Sequence, residues 1–99
     1  MLPRVKRLDW RGKSVSGGVT SVVGTVVVLT ENPNRVGATI VNDGTTVKYL
    51  SKGLTAAVNT GIPLVQYGSY EINLTDPWQG AVSVACSAAG EKIAFTEDE

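Results

Sequence analysis

The strongest constraint on this chain is the alternation of β-branched runs with turn residues. From Val19 to Thr96, short stretches rich in Val, Thr and Ile are broken every few residues by Gly, Asn, Asp or Pro. β-Branched side chains are stiff at χ1 and pack well on a pleated surface. The breaks come too often for long helices, and Leu, Glu, Lys and Gln are too sparse to build several of them. Hydrophobic residues make up 42% of the chain but aromatics only 6%, so any core must be aliphatic. The expected class is all-β.

The clearest alternation runs from Arg35 to Asn42, with Val36, Ala38 and Ile40 on one face and Gly37, Thr39 and Val41 on the other. Asn42-Asp43-Gly44 then reads as a hairpin turn, because these residues accept positive φ, and Val47–Leu50 reads as the return strand. Val19–Thr30 reads as a strand with a bulge or break at Gly24, closed by the turn Glu31-Asn32-Pro33-Asn34. Lys52–Gly61 reads as a loop. A second hairpin pairs Ile62–Tyr67 with Tyr70–Leu74 around Gly68-Ser69. A third pairs Ala81–Cys86 with Glu91–Thr96, after a further turn over Asp76–Gly80. About seven antiparallel strands imply a small β-sandwich or barrel over residues 19–99. Its expected core faces include Val36, Ala38, Ile40, Val82, Val84, Cys86, Ile93 and Phe95.

Residues 1–18 read as an extended N-terminal assembly arm. Leu2, Val5, Leu8 and Trp10 are scattered among Arg4, Lys6, Arg7, Arg11 and Lys13, and Pro3 and Gly12 leave barely two turns for a helix. Ser14-Val15-Ser16-Gly17-Gly18 follows as a flexible stretch. The net charge is zero, with a basic head and an acidic end at Glu97-Asp98-Glu99. A basic head admits nucleic acid as a partner, but neutral net charge and the lack of a basic aromatic stripe argue against it. An arm docked on a protein neighbour fits better. The expected partner-binding residues are Leu2, Arg4, Val5, Arg7, Leu8 and Trp10, together with Trp78 in its Pro-flanked turn.

The chemistry of catalysis is hard to assemble from these residues. With no histidine, the chain lacks the usual general base, nucleophile activator and metal ligand. The single cysteine, Cys86, cannot form an intrachain disulfide, and its phase with Val82 and Val84 points it into the core rather than toward a reactive setting. Glu71, Asp76 and Glu91 fall on separate elements, without the spacing of an oxygen-ligand cation loop. The expectation is no enzyme, no metal and no cofactor. Tyr49, Tyr67 and Tyr70 read as strand residues shielding a sheet. Trp78 can be read as an interface anchor, a sugar-stacking platform or a lid over the core edge. No stretch approaches the ~20 apolar residues of a membrane helix, and charges interrupt residues 1–13 where a signal peptide would be apolar.

The run Asn34–Gly44 with Val47–Leu50, then Gly68-Ser69-Tyr70-Glu71-Ile72 and Trp78-Gln79-Gly80-Ala81-Val82, resembles in the same order a small domain of tailed-bacteriophage virion proteins. The resemblance spans roughly Asn34 to Glu97 and excludes the first third. It implies a non-enzymatic β-sandwich used as head decoration, neck or tail-attachment protein, with no catalytic residues to carry over. The protein would be made in the host cytoplasm and reside in the virion. Its partners would be major capsid or neck and tail subunits, with homo-oligomers expected and no membrane contact. The competing expectation is a carbohydrate-binding or host-attachment module.

Overall fold

The computed structural model describes residues 12–99. Eight strands follow one another: β1 (Ser14–Thr20), β2 (Gly24–Leu29), β3 (Gly37–Asn42), β4 (Lys48–Lys52), β5 (Ile62–Leu64), β6 (Ser69–Ile72), β7 (Val82–Cys86) and β8 (Lys92–Asp98). They form two four-stranded antiparallel sheets, ordered β1-β8-β3-β6 and β2-β7-β4-β5. The first strand pairs the last, β2 pairs β7, β3 pairs β6 and β4 pairs β5. The chain is thus one long hairpin wrapped upon itself, the connectivity of a jelly roll.

The alternation expected on β3 holds. Ala38, Ile40 and Asn42 point inward, and Gly37, Thr39 and Val41 outward. Ile40, Leu50, Ile72, Val82, Val84 and Ile93 fill the space between the sheets, with Val28 and Leu29 beside them. Each such side chain contributes roughly 1.5–3 kcal/mol by leaving water. Cys86 is buried as its phase implies. Phe95 sits half-buried at the core rim. Val36 is half-buried outside the cluster, because the chain joins the sheet only at Gly37.

Three features differ from the sequence reading. Ser14–Gly18 are not part of an arm: they form most of β1 and pair with β8 from Ser14↔Asp98 onward. This makes eight strands where about seven are expected, since the 19–30 stretch breaks at residues 21–23 before Gly24, whose φ is 108°. None of the three expected hairpins forms. β3 and β4, β5 and β6, and β7 and β8 lie in opposite sheets, so each turn is an arch between sheets. At the first arch neither Asn42, Asp43 nor Gly44 has positive φ. Instead the Asn42 amide is buried in the arch, donating to the carbonyls of Thr46 (2.9 Å) and Leu64 (2.8 Å) and accepting from Gly44 N–H. Lastly, β7 is buried on both faces, outward-pointing Ser83 and Ala85 included. Residues 53–61 fold over them as a strap, with Ala56 N–H donating to Ser83 Oγ (3.1 Å) and Thr25 Oγ1 donating to the Ala56 carbonyl.

Candidate interaction surface

Strands that alternate in direction sort their connections into two groups. The β1–β2, β3–β4, β5–β6 and β7–β8 loops share one end of the sandwich, and the β2–β3, β4–β5 and β6–β7 loops share the other. Each end is tied by a buried cation. At the first, Lys48 Nζ, with a fully buried side chain, donates to Glu91 Oε1 (2.6 Å) and to the Thr46 carbonyl (3.1 Å). Glu91 also accepts from Thr46 N–H and Thr46 Oγ1. The Lys48 ammonium, then the Thr46 donors, hold the Glu91 carboxyl down at about 2, against an ordinary 4.5. Gly44 closes over this pair, since a Cβ there would lie 2.8 Å from Lys48 Nζ.

At the second end Arg35 is fully buried. Its Nε donates to Glu97 Oε2 (2.7 Å), Nη1 to the carbonyls of Trp78 (3.0 Å) and Gly80 (2.8 Å), and Nη2 to the carbonyl of Thr30 (2.6 Å). The planar guanidinium suits such convergent acceptors. Gln79 Nε2 reaches the carbonyls of Pro33 and Arg35 in return. Two motifs far apart in the chain, Asn34-Arg35-Val36-Gly37 and Trp78-Gln79-Gly80, therefore meet at one junction. Nearby, Tyr70 Oη donates to Asp76 Oδ2 (2.5 Å) and Lys52 Nζ to Asp76 Oδ1 (3.2 Å), with the ammonium 5.5 Å from the Tyr70 ring centroid. The Tyr70 hydroxyl first, and Lys52 second, hold Asp76 below its ordinary value.

Trp78 is half-buried. Its ring packs against the core, its Nε1–H donates to the Ala81 carbonyl (2.9 Å), and Gly80 leaves the room the ring occupies. This is the geometry of a lid over the core edge. Leu2, Arg4, Val5, Arg7, Leu8 and Trp10 lie outside the described residues. Tyr49 and Tyr70 are half-buried strand residues, but Tyr67 stands in the β5–β6 loop, 70% exposed with φ 64°.

Bare apolar side chains gather at the loop ends. Val22, Val23, Val65 and Tyr67 are exposed at the first end, and Leu54, Val58 and Leu74 on loops of the second. Sequence periodicity hides the first group, because Val22, Val23, Val65 and Tyr67 read as members of strands. The signal available was a run that extends past the turn joining the sheets. Apolar loop tips on an ion-tied scaffold offer contact area. Among the described residues, no three Cys, Asp or Glu side chains group in a way that could hold a metal ion, and no helix is long and apolar enough to cross a membrane. Comparison of the chain with family models, curated proteins and solved structures gives no match.

Proposed function

We propose that this protein is a non-enzymatic structural subunit of a bacteriophage particle that docks on other virion proteins, as a capsid decoration or cement protein or a head–tail accessory. The observation that carries the reading is the wrapped eight-strand connectivity, which virus capsid domains share with lectins and cupins. Shared architecture is an argument by analogy, and the residues supply the physical part. Two of the motifs that resemble virion proteins, Asn34-Arg35-Val36-Gly37 and Trp78-Gln79-Gly80, meet at the Arg35 junction, where the Arg35 guanidinium and the Gln79 amide bond scaffold carbonyls and Glu97. What is left for function is surface: apolar loop tips and the basic N-terminal segment.

Docking would proceed by complementarity, with Arg4, Arg7 and their neighbours steering the protein to an acidic subunit surface and Leu2, Val5, Leu8 and Trp10 burying on it. Steering of this kind weakens as salt rises. Copies arrayed on a symmetric particle would add avidity to a modest single-site affinity. The test mixes purified protein with particles lacking it and maps bound copies by electron microscopy. Ordered density at symmetric positions supports the proposal; its absence at saturating protein overturns it.

A second reading, a carbohydrate-binding or host-attachment module, draws on Tyr67 as an exposed stacking surface. Binding to a glycan panel that disappears in Tyr67→Ala would establish it in place of the first.

A further inference from the structure

The four sheet edges are unequally protected. β5 is three residues long with Pro63 at its middle, and β6 is four residues long and carries Glu71. β2 slips register between Val27 and Leu29, and its Thr25 hydroxyl is tied to the strap. Shortness, proline, charge and bulges are the devices that stop an edge from recruiting another strand. β1 has none of them: seven residues in unbroken register with β8, without charge, proline or bulge. Among the described residues, no strand lies beyond it.

We infer that β1 is a docking edge for a second copy of this chain, pairing antiparallel with its own counterpart across a two-fold axis at Gly17 and joining the two β1-β8-β3-β6 sheets into one. The strand Ser14-Val15-Ser16-Gly17-Gly18-Val19-Thr20 is close to a palindrome. Centred on Gly17, it sets Ser14 against Thr20 of the second copy, Val15 against Val19, Ser16 against Gly18, and Gly17 against itself. This register pairs every residue of the strand.

The hydrogen-bond phase agrees. At the ends of the β1–β8 ladder, Ser21 N–H donates to the Glu91 carbonyl and Glu99 N–H to the Lys13 carbonyl. A two-residue period then points the N–H and C=O groups of Ser14, Ser16, Gly18 and Thr20 away from β8, toward the open edge. The self-pairing matches these residues with one another, as hydrogen-bonded pairs exchanging two bonds each. Val15 and Val19 become non-hydrogen-bonded pairs, in which side chains lie closest. Val15 faces the sandwich side with Val19 yet is 52% exposed, so the contact covers apolar surface that β1 alone leaves wet. At the axis, Phe95 already fills the space below Gly17, where a Cβ would lie 2.9 Å from Cζ.

On the outer face, Lys92 leans to the edge with Nζ 3.1 Å from Thr20 Oγ1, and Ser14 at the other end of the strand pairs with Asp98. The axis sets Thr20 of one copy against Ser14 of the other, twice by symmetry. A single strand pair buries less than the ~1,200 Å² of a standard interface, so the dimer is weak and reversible in solution. The pairing does not depend on what larger body the protein docks on.

The test uses the full chain alone. Val15→Cys and Val19→Cys proteins, mixed under mild oxidation, give a disulfide-linked heterodimer, while either variant alone stays uncross-linked because like positions lie four residues out of register. Cross-linking equal in the single-variant samples, or none in the mixture, overturns the inference. Because Val19 packs on the core, Ser16→Lys supplies a second arm at an exposed position of the outer face. Wild-type protein sediments increasingly as a dimer between about 10 μM and 1 mM, and Ser16→Lys, which sets like charges across the axis, stays monomeric with an unchanged melting temperature. A wild-type monomer at the top of that range counts against the pairing.

Discussion

At Arg35, one guanidinium joins the β2–β3 segment, the Trp78–Gly80 turn and β8, satisfying three carbonyls and a carboxylate. Lysine keeps the charge but cannot fork to these acceptors, so Arg35→Lys is expected to cost on the order of 3 kcal/mol by urea denaturation, as for a broken buried pair. A loss under ~1 kcal/mol would show that the junction does not hold the fold. Gly44 is demanding for a different reason: its φ is ordinary, but a Cβ would collide with the Glu91 carboxylate and with Lys48 Nζ. Gly44→Ala is expected to destabilise by about 1–3 kcal/mol, as overpacking does. The same pair sets the acid response. Glu91 is held at about 2 in the folded protein against an ordinary 4.5. Its contribution is therefore complete above the ordinary value and is lost as pH falls from there towards 2. Asp76, held down by Tyr70 and Lys52, adds in the same direction. The melting temperature should drop as pH falls from about 5 to 2, and less steeply in Glu91→Gln than in wild type.

Among the elements, the strap over residues 53–61 explains why β7 is buried on both faces. A Val-Ser-Val-Ala-Cys strand alternates in sequence and would normally present Ser83 and Ala85 to water. Here Ser83 Oγ accepts from Ala56 N–H, and that bond with the Thr25–Ala56 contact holds the strap down. Ser83→Ala leaves a buried N–H without its acceptor and is expected to cost about 1–2 kcal/mol. The decisive measurement is amide hydrogen exchange: protection at Ala56 should fall selectively, while Val82 and Val84 keep theirs. Uniform loss along β7 would mean that the strap and strand open together.

For the whole molecule, every sheet pairing except β4–β5 joins segments far apart in the chain. Loop closure must precede those contacts, so folding is expected in milliseconds to seconds, not microseconds, by stopped-flow fluorescence. All eight strands lie C-terminal to residue 11, so deleting residues 1–11 should leave the cooperative melt of the sandwich in place. Under the proposed function, the same deletion abolishes docking on particles that lack the protein. Retained docking would move the contact to the apolar loop tips at the two ends.

How far the fold could be read in advance differs by range. Local preference was enough for the all-β class, for the inward faces of β3 and β7, and for the burial of Cys86, since side-chain alternation depends on a few neighbouring residues. It also marked nearly every place where the chain turns. It could not assign the sheet each turn leads to: Asn42-Asp43-Gly44 suits a tight hairpin, but the buried Asn42 amide, held by Thr46 and Leu64, makes it an arch. Ser14–Gly18 have little local strand character and become a strand only because β8 offers an edge to pair with. The same holds for the polar residues. Nothing around Arg35 or Lys48 in the chain foretells burial, because Glu97 and Glu91 arrive from the far end of the sequence. Periodicity is a property of neighbours, whereas sheet membership and ion pairing are decided only when distant segments close on one another.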